Sequence, residues 1–345
     1  MAAMTVSVQV GYAAGIKEAV DQLVELEKVG ADLVWVAEAY GIDAVSVMGY
    51  IAARTERIKI GAGILPLYSR TPTLIAMTAA GVDYLSDGRC VLGLGASGPQ
   101  VIEGWHGVPY DKPIARTREI VDICRQVWRR ERVEHDGDCY TLPLPPEQGT
   151  GLGKPLKMIF HPTRDRIPIY VAALGPKNVE VTAQIAEGWM PILFVPEKAK
   201  DVWGEALAKG AANRAPELPP LEICGGGLLA IGDDVEGIRE LARPGLALYI
   251  GGMGARGRNF YNDLVRRYGY EEEAERIQDL YLDGRKDEAA AAVPAELLEA
   301  TTLVGPRGYV AERLAAYKEA GVTTLNITPI SADPVRTVEE LRALL

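Results

Sequence analysis

Two carboxylates, a hydroxyl and a lysine stand where strand patterns run out into loops, and each is a group that moves protons or binds anions. Glu38 ends the apolar run LVWVAEAY (33–40). An acid there is costly to bury unless it meets a cation, a helix start or a ligand. Glu103 follows Ser97-Gly98-Pro99-Gln100, a small-residue loop offering a hydroxyl and backbone amides. With a suitably raised pKa, either acid is the type of group that serves as a general acid or base. ALGPKN (173–178) leads straight into a helical pattern. Gly175 permits close approach, Pro176 suits a first helical turn, and the turn's amides together with Lys177 suit an anion. An ordinary loop with a proline-started helix is the competing interpretation. GAGILP (61–66) carries two glycines that permit unusual backbone, for a bulge or for a ligand lying against it.

The elements that must position these groups alternate regularly. Strand patterns fall at 5–10, 33–37, 58–62, 89–94, 167–172, 189–194, 221–230 and 323–328. Helical patterns fall at 17–29, 44–54, 71–86, 113–130, 177–186, 197–213 and 337–345. Eight strands joined by helical crossovers predict an α/β fold, a (β/α)8 TIM barrel formed as a single domain over 1–345. The rhythm fails near 131–166, which is rich in proline and glycine, and near 251–294, which is helix-rich. Both segments read as excursions from the barrel. An open doubly wound sheet is the alternative, but the loop 11–15 lacks the GxGxxG dinucleotide pattern.

Composition narrows the function. The 345 residues carry a net charge of -10, so a nucleic-acid partner is not expected. No apolar run reaches the ~18 residues of a membrane span. The start, MAAMTVSVQVGY, has no basic region before an apolar one, so a cytoplasmic protein is expected. Four cysteines without CxxC spacing and three dispersed histidines give no argument for a metal.

In this order, 35–40, 61–72, LSDGRCVLGLGASGP (85–99), ALGPKN and AEGW (186–189) resemble the luciferase-like monooxygenase superfamily. The resemblance is closest to its deazaflavin-dependent branch, which includes methylenetetrahydromethanopterin reductase, and it covers nearly the whole chain. It implies a bacterial luciferase-like barrel binding coenzyme F420, or in other branches flavin mononucleotide (FMN), at the C-terminal mouth. It implies a non-prolyl cis peptide at Gly63–Ile64, with Ala62 beside it and Ile64 behind the coenzyme ring. Implied phosphate contacts are Gly175, Pro176 and Lys177, with Ala173 and Leu174 also in the implied coenzyme set. Ala96, Ser97, Gly98 and Gly188 complete the implied coenzyme set. Glu38 matches an acid near the ring, followed here by Ala39 where several relatives carry histidine. Glu103 takes the place of an acid that some relatives put after a Thr-Gly pair.

The implied activity is hydride transfer between deazaflavin C5 and a small organic substrate, with Glu38 or Glu103 moving the proton. The alternatives are an FMN-dependent monooxygenase using reduced flavin and oxygen, and an F420-binding protein without turnover. A homodimer is implied by the family alone. Tyr12, Trp105 and Trp189 are either an aromatic lining of the substrate pocket or core.

Overall fold

The computed structural model describes residues 4–11, 15–233 and 235–345. Its centre is a closed parallel barrel of eight strands: β1 Thr5–Gln9, β2 Leu33–Val36, β3 Lys59–Ala62, β4 Cys90–Gly95, β5 Ile169–Ala172, β6 Gly188–Trp189, β7 Glu222–Ile231 and β8 Thr324–Pro329. Each pairs with the next, and β8 returns to β1. Around it lie α1 Ile16–Lys28, α2 Ala44–Arg54, α3 Pro72–Leu85, α4 Pro113–Trp128, α5 Pro176–Ile185, α6 Pro196–Ala212, α7 Arg307–Glu319 and α8 Pro334–Arg342. The local signals are ordinary. Val20, Leu23 and Leu26 form the buried stripe of α1. Thr71 caps α3 by accepting from the Leu74 amide, with Pro72 in the first turn.

Two departures from the sequence expectation have physical causes. The sixth strand stops at Trp189 rather than reaching 194, because Pro191 has no amide to donate and Leu193 adopts a left-handed φ of 54°. Residues 295–322, which the strand-and-helix pattern passes over, hold a helix (Ala295–Ala300), a short strand (Leu303–Gly305) paired with β7, and α7. The excursion at 131–166 contains a two-residue hairpin, His135–Asp136 against Thr141–Leu142. Glu119 holds it by accepting from the Cys139 and Tyr140 amides. Arg164 ties the far end of the excursion down by donating to the buried Asp83 carboxylate and to the Cys90 carbonyl.

Outward-facing strand residues join the helices in one large core. The barrel interior holds a smaller apolar cluster of Leu33, Trp35, Val91, Tyr170 and Cys224, with Met190 packed on it. Space there is so limited that each large ring meets a glycine directly across the sheet. Trp35 pairs in register with Gly61, and a Cβ on Gly61 would lie 2.3 Å from the indole. Tyr170 pairs with Gly188, where a Cβ would lie 2.2 Å from its ring. Gly93 is tighter still, since a Cβ there would sit 1.7 Å from the Ala62 carbonyl oxygen.

That last contact is backbone against backbone and cannot be relieved by a rotamer change. Gly93→Ala therefore lowers stability by at least about 3 kcal/mol, seen as a lower urea midpoint. An unchanged midpoint would mean that β3 and β4 do not approach as described.

Candidate active site

At the C-terminal ends of β3, β4 and β5, three of the loops singled out in the sequence converge. The Gly63–Ile64 peptide is cis. The Gly63 amide donates to the Val36 carbonyl at 2.7 Å, and Leu65–Pro66 pairs with Leu94–Gly95. The chain thus leaves β3, turns at Gly63 and lays Ile64 against its neighbours. A Cβ on Gly95 would be 2.8 Å from Ile64 Cγ1 and 3.3 Å from the Ala172 methyl, so Ile64 fills the place of the missing side chain. Beneath, Trp35 Cβ and Met190 Cε lie 3.1 and 3.8 Å from where a Gly63 Cβ would stand. Ala62 is fully buried, while Ile64, Ala96, Ser97 and Gly98 are half-buried. Ser97 takes a left-handed φ of 57° as the chain turns from β4 into the short helix Pro99–Gly104.

After β5, Ala173 is buried and Leu174 half-buried; the Leu174 carbonyl accepts from the Trp203 indole at 2.9 Å. Gly175, Pro176 and Lys177 lie exposed at the first turn of α5, and a Cβ on Gly175 would meet nothing within 4 Å. Asn178, in the same turn, has a buried Oδ1 without a hydrogen-bond partner among the described residues. A positive helix end with a lysine and open space suits an anionic ligand.

The carboxylates are placed less freely than the sequence allows. Both Glu38 oxygens accept from Arg70, at 2.5 and 2.9 Å, and Oε2 also accepts from the Ala44 amide at the start of α2. Arg70 further pairs with Asp43 at 2.9 Å. Glu38 thus meets both the cation and the helix start that its position calls for. Hydrogen bonding to Glu38 is the main reason that the Arg70 pKa is raised. Burial alone would raise the Asp43 pKa, but the Ser46 hydroxyl and amide, and then Arg70, leave it lowered from 3.8. Glu103 is exposed and accepts from the Tyr110 amide at 3.2 Å. Ala39 is exposed beside Glu38.

One sequence expectation is corrected. Gly188 is not at the mouth: it begins β6, opposite Glu222 at the start of β7, and is buried under the Tyr170 ring. Trp189 belongs to the core outside the barrel, edge-on to Trp203 with ring centroids 5.1 Å apart. Trp105 is 67% exposed, and Tyr12 lies outside the described residues.

A cavity of about 300 Å³ opens instead at the ends of β1, β6, β7 and β8. Its wall includes Gln9, Cys224, Asn326, Thr328 and, from the helical segment that precedes 251–294, Tyr249. Neither Glu38 nor Glu103 lines it. Sequence reasoning missed Tyr249, Arg70 and Asn326. The one signal available was the polar Asn326 inside the apolar strand pattern TTLNIT; its Oδ1 accepts from the Ser7 hydroxyl at 3.1 Å. Among the described residues, no group of three or more His, Cys, Asp or Glu converges to hold a metal, and no helix is long and apolar enough to cross a membrane.

A closed eight-stranded barrel whose loop-built site lies at the strands' C-terminal ends is a (β/α)8 TIM-barrel fold. The chain belongs to the luciferase-like monooxygenase family, whose model matches residues 1–324. It is 43% identical, over 99% of both chains, to a protein of Mycobacterium tuberculosis provisionally named a coenzyme F420-dependent oxidoreductase. A 5,10-methylenetetrahydromethanopterin reductase of Archaeoglobus fulgidus is 27% identical over 91% of this chain and 90% of its own. The solved structure of the coenzyme F420-dependent tetrahydromethanopterin reductase of Methanopyrus kandleri shares the fold. Its TM-score is 0.82 at 21% identity, over 99% of this chain and 97% of that one.

Replacing Arg70 with alanine strands two carboxylates, and the loss of stability is expected to be about 2–3 kcal/mol, measured by chemical denaturation. The sign of the pH effect follows from Asp43. Its lowered folded pKa adds stability that is complete above its unfolded value and is lost as pH falls through the folded value. Without Arg70 the folded pKa moves back towards 3.8, so the acid limb of a Tm-versus-pH curve becomes flatter.

Proposed function

We propose that this protein is an oxidoreductase that binds coenzyme F420 in the barrel mouth and exchanges a hydride between deazaflavin C5 and a small organic substrate. The choice of coenzyme rests on one observation above the others: the 43% identity, end to end, with the provisionally named F420-dependent oxidoreductase. The residues of the mouth fit such a ligand. When bound, a deazaflavin supplies a two-electron, hydride-transferring centre.

The chain's own residues would bind, orient and shield it. Ile64, with Gly63 behind it and Gly95 and Ala172 beside it, offers a smooth apolar backing for a planar ring. Ala62, Ala96, Ser97 and Gly98 bring little bulk to the rim, so a ring can lie close to the backbone. Gly175, Pro176 and Lys177 would take a phosphorylated arm at the positive end of α5. Trp35 and Met190 close the floor and keep water from entering beneath the ring. Glu38, fixed by Arg70 and the start of α2, would hold the loop after β2 against the rim as a positioning residue.

Titration of the purified protein with F420, followed by the coenzyme's fluorescence, is expected to saturate, with FMN binding far more weakly. Lys177→Ala should raise the F420 Kd about fivefold, as suits one charged contact near the surface. Tight FMN binding without saturable F420 binding would overturn the coenzyme assignment in favour of the monooxygenase reading.

A further inference from the structure

Tyr249 sits on a segment built to hold it. Leu248–Gly252 forms a single π-helical turn, and such turns widen the helix and leave carbonyls without their usual partners. Here those carbonyls are captured by two buried asparagines. Asn259 Nδ2 donates to the Tyr249 and Ile250 carbonyls at 3.1 and 3.0 Å, and Asn262 Nδ2 donates to Ile250 at 3.1 Å. Gly251 and Gly252 let Tyr281 pack where side chains would collide, with Cβ positions 2.5 and 2.4 Å from it. Tyr261 then sets the Tyr249 ring edge-on at a centroid distance of 4.9 Å. This is substantial construction around one phenol.

The phenol lines the 300 Å³ cavity, and its hydroxyl has no hydrogen-bond partner among the described residues. The rest of the described lining is apolar or neutral: Gln9, Asn326 and three threonines are its other polar side chains apart from the Cys224 thiol. Among the described residues, no Asp, Glu, Lys, Arg or His contributes. A cavity without a fixed charge desolvates an ionic ligand uncompensated, which is strongly unfavourable. Burial raises the pKa of Tyr249, which keeps the hydroxyl protonated and able to donate.

We propose that this cavity takes the substrate of the oxidoreductase reading given above, that the substrate is an uncharged small molecule with an apolar body and a carbonyl or hydroxyl oxygen, and that Tyr249 binds that oxygen. Tyr249 thereby selects for a neutral oxygen-bearing substrate and against phosphorylated or carboxylated ones. The inference rests on that reading for the word substrate; the charge preference and the role of the phenol stand on the cavity itself.

The test uses the full-length protein, with and without F420, and three probes: cyclohexanone, cyclohexanol and cyclohexanecarboxylate, each followed by ligand-observed NMR. Both neutral probes are expected to bind saturably and the carboxylate not to bind. Tyr249→Phe keeps the ring and should weaken the neutral probes about five- to tenfold, the value of one lost hydrogen bond, while leaving the F420 Kd unchanged. A second variant, Gly245→Phe, places a side chain at a lining position where a Cβ meets nothing within 4 Å, so it should fold normally. It should abolish binding of both neutral probes and again spare F420. Carboxylate binding as tight as ketone binding, no saturable binding of either neutral probe, or an unchanged Kd in Tyr249→Phe would each overturn the proposal. Failure of F420 to bind wild-type protein that still shows these probe preferences would overturn the coenzyme assignment alone.

Discussion

The interior of an eight-stranded barrel admits two facing large rings only where the neighbouring strand positions carry no side chain. The rest of this structure depends on how that limit is met. Trp35 and Tyr170 meet edge-on at 5.4 Å, and each lies against a glycine on the next strand. Because Gly61 and Gly188 give up their side chains, two large rings fill the floor without forcing the strands apart. Because Gly93 gives up its own, the end of β3 can swing inwards over β4. The mouth above is therefore shaped by the packing below it: Gly63 and Ile64 emerge over Trp35, and Ile64 is received by Gly95.

Charge is distributed to match. On the opposite rim, ion pairs and charge-assisted bonds join helices to strand starts. Glu187 accepts from Arg125, Arg166 and the Ile169 amide; Glu27 accepts from three successive amides at 56–58; Asp83 meets Arg164. These contacts hold the frame. At the mouth, the Glu38–Arg70–Asp43 group is the corresponding anchor, and the cavity lining among the described residues carries no charged side chain. A barrel so organised is rigid where it is ionic and open where it is neutral, which is the division a ligand site needs.

Much of this was legible from the chain alone. Alternating patterns located seven of the barrel strands closely and placed the sixth, although Pro191 cut it short. The loops at 61–66, 95–99 and 173–178 were recognisable because glycine, proline and small residues in strand-to-helix turns have few other uses. The roles of the two acids were not legible. Glu38 was marked by its cost of burial, but whether that cost is met by a ligand or by Arg70 depends on a residue 32 positions away. Gly188 was marked by its motif, and nothing local says that a tyrosine on the neighbouring strand occupies its space. Tyr249 carried no mark at all, since a π-turn arises from Asn259 and Asn262 reaching back to its carbonyls.

What the amino-acid sequence determined by itself was the succession of elements and the chemical character of each loop. Those depend on periodicity and on backbone preferences that act over a few residues. Which loops share a mouth, which acid is neutralised, which glycine serves packing rather than binding, and where a neutral cavity opens were decided only when the barrel closed. Closure fixes the strand register, and register sets residues distant in the chain against one another within a space where each large ring needs a glycine beside it.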